Sequence, residues 1–204
     1  MSTLWSLGLL CYAEPMFWTL LLCHLLVGLL FFEAKDSQKG RWLLKPLTSA
    51  CFVALACEFA LHHEGPQRWV FWGLFLGFLG DVLLIPKSKP IFLVGLVSFL
   101  LGHVAYIVAF VVYGTDLLLC AASLLVLAPL GYKIFFWLKP HLPANFILPV
   151  VAYVVTICLM VAAAFGYIAE PKGLMLFVAA TLFWLSDICV ARQRFMKPEF
   201  VNKA

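Results

Sequence analysis

The chain has 204 residues, of which 65% are hydrophobic and only 12% charged, with a mean hydropathy of +1.04. Soluble domains run near 45–50% apolar and about 25% charged, so this composition excludes a soluble fold and implies an all-α, polytopic membrane bundle. Net charge is only +4, with Lys and Arg set between apolar runs rather than in a patch, which argues against a nucleic-acid partner.

A membrane span needs about 20 predominantly apolar residues. Seven stretches qualify: Pro15–Phe32, Pro46–Leu61, Trp69–Ile85, Ile91–Tyr113, Asp116–Leu138, Asn145–Ile168 and Lys172–Ala191. They form one domain over residues 1–204, with short connections, several carrying Pro (Pro86, Pro90, Pro140, Pro143). Ser2–Tyr12 is apolar but too short to cross, and the N-terminus has no Lys or Arg ahead of it, unlike a cleaved signal peptide. With the N-terminus outside, twelve of the fourteen Lys and Arg fall on the inner side, and only Arg68 and Lys172 on the other. That asymmetry predicts a cytoplasmic C-terminus and supports the count of spans.

The third span reads GLFLGFLGDVLLI, an apolar run holding Asp81. A carboxylate in hydrocarbon costs roughly 2.5–3.5 kcal/mol even on mild insertion scales, so it needs a reason. Gly73, Gly77 and Asp81 share one helical stripe, the small-residue pattern that lets helix backbones approach closely. Asp187 repeats the arrangement in the last span, on a stripe with Gly173, Ala180 and Ala191. Both spans run inward, and both carboxylates lie about four residues before the inner end, roughly 6 Å inside the boundary. Each alone reads equally as a structural hydrogen-bond partner. Two at matching depth suit acid–base work, with one carboxyl holding a proton while the other is ionised.

His103, in FLLGHVAYI, stands roughly 18 Å along the fourth span, beside a stripe of Gly95, Ser98, Gly102 and Tyr106. It reads as a satisfied core residue or as a ligand. Tyr153, in PVVAY, can orient a carboxylate or simply pack. Lys45, at the inner end of the second span, marks topology, binds a lipid phosphate or pairs with one of the two Asp. The seven cysteines lack CxxC spacing and read as packing residues. No serine-hydrolase elbow, zinc-protease motif, P-loop or dinucleotide fingerprint is present, and two carboxylates with one distant His make a poor zinc site. Neither a cofactor nor a metal is expected.

Taken together, Lys45-Pro46, GLFLGFLGD ending at Asp81, FLVGLVSFLLGHVAYI with His103 and Tyr106, PVVAY around Tyr153, and LFVAATLFWLSDICVARQRF around Ser186-Asp187 resemble the YhhN family of integral membrane proteins, which includes the animal lysoplasmalogenases. The likeness runs from Lys45 to Phe195 in order and spacing. It implies hydrolysis of the vinyl ether bond of lysoplasmalogens, releasing a fatty aldehyde and glycerophosphoethanolamine or glycerophosphocholine. It implies catalytic roles for Asp81 and Asp187, and supporting positions at Lys45, His103, Tyr106, Tyr153 and Ser186. The family pattern further implies an eighth membrane helix after the SD segment, where this chain has a short polar tail ending at Ala204.

The partners expected are a lysophospholipid and the bilayer itself, in a bacterial cytoplasmic membrane or, for a eukaryotic chain, the endoplasmic reticulum. A proton-coupled transporter is the competing class, because buried Asp and His also serve as proton relays. An inactive, truncated family member is the other alternative.

Overall fold

In the computed structural model the described residues are Leu26, Gly28, 38–62, 67–86 and 88–196. The first expected span, Pro15–Phe32, lies outside them except for Leu26 and Gly28, both helical, and Ser2–Tyr12 lies outside them entirely. Among the described residues every regular element is a helix: α1 (Gln38–His62), α2 (Gln67–Leu84), α3 (Lys89–Tyr113), α4 (Leu117–Leu138) with a 3-10 turn (Lys139–His141), α5 (Ala144–Gly166) and α6 (Gly173–Phe195). Among the described residues four stretches are long and apolar enough to cross a membrane: Lys89–Tyr113, Leu117–His141, Ala144–Gly166 and Gly173–Phe195. Leu117, Leu118, Leu125 and Leu148 are each more than 70% exposed, as suits helices that turn apolar faces to lipid.

The helix ends follow local chemistry. Gly114 closes α3 at φ 98°, a left-handed conformation that only glycine adopts at little cost. Two residues on, Asp116 caps α4, its Oδ1 accepting from the backbone N–H groups of Leu118 at 2.8 Å and Leu119 at 3.1 Å. The backbone N–H of Asp116 in turn donates to the carbonyl of Gly166 at 3.0 Å, tying the start of α4 to the end of α5.

Packing runs from α1 to α2, α2 to α3 and α3 to α5, with α5 also flanked by α4 and α6. The small-residue stripes on α2 and α3 meet each other. A Cβ on Gly102 would come within 3.0 Å of the Gly73 carbonyl oxygen, and one on Gly73 would enter the ring of Tyr106. Ser98 crosses the same seam, donating to the carbonyl of Leu76 at 2.7 Å. Such backbone proximity is the gain that small residues bring to helix pairs in a membrane. The core centres on the second half of α5, where Ile157, Val161, Ala162 and Ala164 are all at most 2% exposed. By contrast α3 and α6 touch mainly through long side chains, such as the rings of Phe99 and Phe183 at 6.2 Å. The space between these two helices holds the site.

Candidate functional site

Two polar clusters sit within otherwise apolar helices. The first joins α1 to α2. Lys45 and Ser49, four residues apart, share one face of α1. Lys45 Nζ is 3.0 Å from Asp81 Oδ1, and Ser49 Oγ donates to Asp81 Oδ2 at 2.5 Å. Of the roles open to Lys45 from sequence, the structure gives the contact with an Asp. The pair is partly exposed, 31% for the lysine side chain and 23% for the aspartate, so it lies at a boundary rather than in the core.

The second cluster joins α3, α5 and α6. Tyr153 donates its hydroxyl to Asp187 Oδ2 at 2.6 Å, the orienting role open to it from sequence. His103 Nε2 stands 3.5 Å from that same oxygen, and the imidazole is 1% exposed. The other ring nitrogen, Nδ1, lies 2.6 Å from the carbonyl oxygen of Phe99. A carbonyl only accepts, so this bond puts the proton of the neutral ring on Nδ1 and leaves a lone pair on Nε2. Nε2 is buried without a hydrogen-bond partner. Rings of Phe183, Tyr153 and Tyr106 meet the imidazole edge-on, with centroids 5.1, 5.2 and 6.5 Å away.

A cavity of about 60 Å³ opens beside the second cluster. Its walls are aliphatic and aromatic side chains from α2 to α6, among them Leu84, Phe99, Ile134, Val154, Trp184 and Ile188. Asp187 and Tyr153 are the residues that bring a carboxylate and a hydroxyl to this lining. The arrangement is an apolar slot with one acidic group and one oriented donor, the form typical of sites for small or chain-like apolar ligands.

Asp81 is not among the residues that line the slot. The two carboxylates also differ in their distance from the ends of their helices. Asp81 lies three residues before the end of α2, about 4.5 Å, whereas Asp187 lies eight before the end of α6, about 12 Å. The difference arises because α6 continues past Ala191 to Phe195. Tyr106 serves chiefly as the ring over Gly73, and Ser186 is exposed, one residue around the helix from Asp187. Ser49, Phe99 and Phe183 were not singled out from sequence. Each stands four residues from a residue that was (Lys45, His103 and Asp187), so helical spacing was the available signal.

Five described cysteines are free; Cys51 and Cys158 are buried, and Cys158 reaches the Leu127 carbonyl at 3.6 Å. Among the described residues no group of three His, Cys, Asp or Glu could hold a metal ion.

No curated protein and no solved structure matches the chain. The family model of the YhhN family matches residues 40–204, a range that holds every residue of both clusters. The chain belongs to the YhhN family.

Proposed function

We propose that this chain is a lysoplasmalogenase-like hydrolase of the bilayer, with seven spans, an external N-terminus and a cytoplasmic C-terminus. It cleaves the vinyl ether bond of a 1-alkenyl lysophospholipid. The observation that carries this reading is the carboxyl of Asp187, set in an apolar slot and held by Tyr153 beside the lone pair of His103. Membership of the YhhN family adds support, since the resemblance to that family is what implies this activity.

The chemistry follows from the bond. Protonation of the β-carbon of a vinyl ether gives an oxocarbenium ion; water adds to the carbon bearing oxygen, and the hemiacetal collapses to an aldehyde and a glycerol hydroxyl. The reaction takes up one water and needs no redox partner. Asp187 is the general acid, its Oδ2 anchored by Tyr153 and its other oxygen directed at the substrate. Once deprotonated, it faces the cation it has made, the arrangement that glycosidase carboxylates use. His103 shares the proton of Asp187 between turnovers. Asp81 is the second carboxylate, fixed by Lys45 and Ser49 outside the slot. The alkenyl chain lies along the apolar wall.

Purified protein in detergent, offered 1-alkenyl, 1-alkyl and 1-acyl lysophospholipids of equal chain length, should release aldehyde from the first alone. Folded protein that releases no aldehyde from it overturns the proposal. A proton-coupled transporter is the second reading, favoured by the buried His103–Asp187 pair, and it predicts substrate-driven proton flux in proteoliposomes with no aldehyde.

A further inference from the structure

The slot does not end at Asp187. Its lining on α6 continues through Ile188, Val190 and Ala191 to Phe195, so it runs along this helix toward the end that carries the basic residues. There the rings of Phe92, Phe146 and Phe195 form a triad with centroids 5.7 to 5.8 Å apart, and Phe92 and Phe195 line the slot. Arg194 lies over Phe92, its Cζ 4.5 Å from the ring centroid. The residue is half-buried rather than extended into solvent. A guanidinium held over a ring keeps its N–H donors at its periphery, where two can grip one phosphate side by side.

Resting on the hydrolase reading above, we propose that Arg194 is the phosphate-binding residue of the site. It would set the distance between headgroup and cleaved bond for a single-chain phospholipid. Arg194 follows Asp187 by seven residues, two helical turns, which places them on one face of α6 about 10.5 Å apart along its axis. In a 1-alkenyl lysophospholipid seven bonds separate the β-carbon from phosphorus; at about 1.5 Å each and in a zigzag they span about 9 Å. One substrate can therefore present its vinyl carbon to Asp187 and its phosphate to Arg194, with its glycerol along the stretch of slot between them and its chain leading away past Trp184. Lys45, the other candidate for the phosphate, is engaged by Asp81 at 3.0 Å.

The test measures binding without turnover. The probes are a 1-alkyl ether lysophosphocholine, which cannot be hydrolysed by this route, and the 1-alkylglycerol of the same chain, which lacks phosphate. Wild-type protein should bind the phospholipid at least tenfold more tightly. Arg194→Gln should weaken the phospholipid about 10- to 100-fold and the alkylglycerol less than twofold, with Arg194→Lys between the two because it keeps charge but loses the fork. Inorganic phosphate should compete only far above the lipid's dissociation constant, which separates a headgroup site from a free-anion site. Equal weakening of both probes by Arg194→Gln, no weakening of the phospholipid, or inorganic phosphate competing as well as the lipid would each overturn the assignment. Arg194→Met, with the aliphatic stem retained over Phe92, provides the same comparison if the Gln variant fails to fold. Aldehyde release by the wild type is scored separately, so a failure of the hydrolase reading leaves this binding result intact and interpretable.

Discussion

His103 Nε2 and Asp187 Oδ2 face each other at 3.5 Å from two different helices, at a point where the imidazole is 1% exposed. With Nδ1 committed to the Phe99 carbonyl, both facing atoms carry lone pairs unless one of them holds a proton. Nε2 is left without a hydrogen-bond partner, and an unsatisfied buried polar atom is costly. The proposed reaction gives this atom a use, as a place where a proton from Asp187 can rest between turnovers.

Tyr153→Phe removes the hydroxyl that anchors Asp187 while keeping the ring that packs on His103. Hydrogen bonds to charged groups contribute about 1.5–3 kcal/mol, so aldehyde release should fall about 10- to 100-fold. The melting temperature in detergent should change little by comparison. Steady-state kinetics on the purified variant check this; unchanged kcat/KM would mean that the bond orients nothing the reaction uses.

The ion pair of the first cluster should behave as a unit. Lys45→Met strands the carboxylate of Asp81, and Asp81→Asn strands the ammonium, so each single variant should lose about 1–3 kcal/mol of stability. The double variant should lose less than the sum, because neither charge is left unpaired. Thermal denaturation of the four proteins completes the cycle, and simple additivity would show that the 3.0 Å contact has no energetic content.

Glycines on the α2–α3 seam should differ sharply. A Cβ at Gly102 meets the backbone oxygen of Gly73 at 3.0 Å, an atom that cannot swing aside, whereas at Gly77 the nearest contact is the Phe99 ring at 3.8 Å. Gly102→Ala should cost about 1–3 kcal/mol by overpacking, and Gly77→Ala should be close to neutral. Comparing the melting temperatures of the two variants tests whether the seam is as tight as described.

The apolar runs of α3 to α6 were legible from hydropathy alone, and so was the break between Tyr113 and Asp116. The stripes of Gly73 on α2 and of Gly102 on α3 announced close packing, although only the fold shows that they pack on each other. Lys45 and Asp81 were both visible as unusual residues; their pairing was one of three options, because helix neighbours in a bundle are not encoded in periodicity. The same holds for His103 and Asp187, 84 residues apart in the sequence. The end of α6 was misjudged at Ala191 because ARQRF looks like a polar connection. Arg and Gln are good helix formers, and an arginine can keep its stem among apolar side chains, so the helix runs on to Phe195. Arg194 was accordingly counted with the topology markers rather than with the site.

The most direct measurement is the fate of solvent hydrogen. Purified protein should be given a 1-alkenyl lysophospholipid in D₂O, with the aldehyde trapped as it forms and analysed by mass spectrometry. The account predicts one deuterium on the carbon next to the aldehyde group, delivered by Asp187, and no aldehyde above background from folded Asp187→Asn. Aldehyde without that deuterium, or undiminished release by the variant, would contradict it.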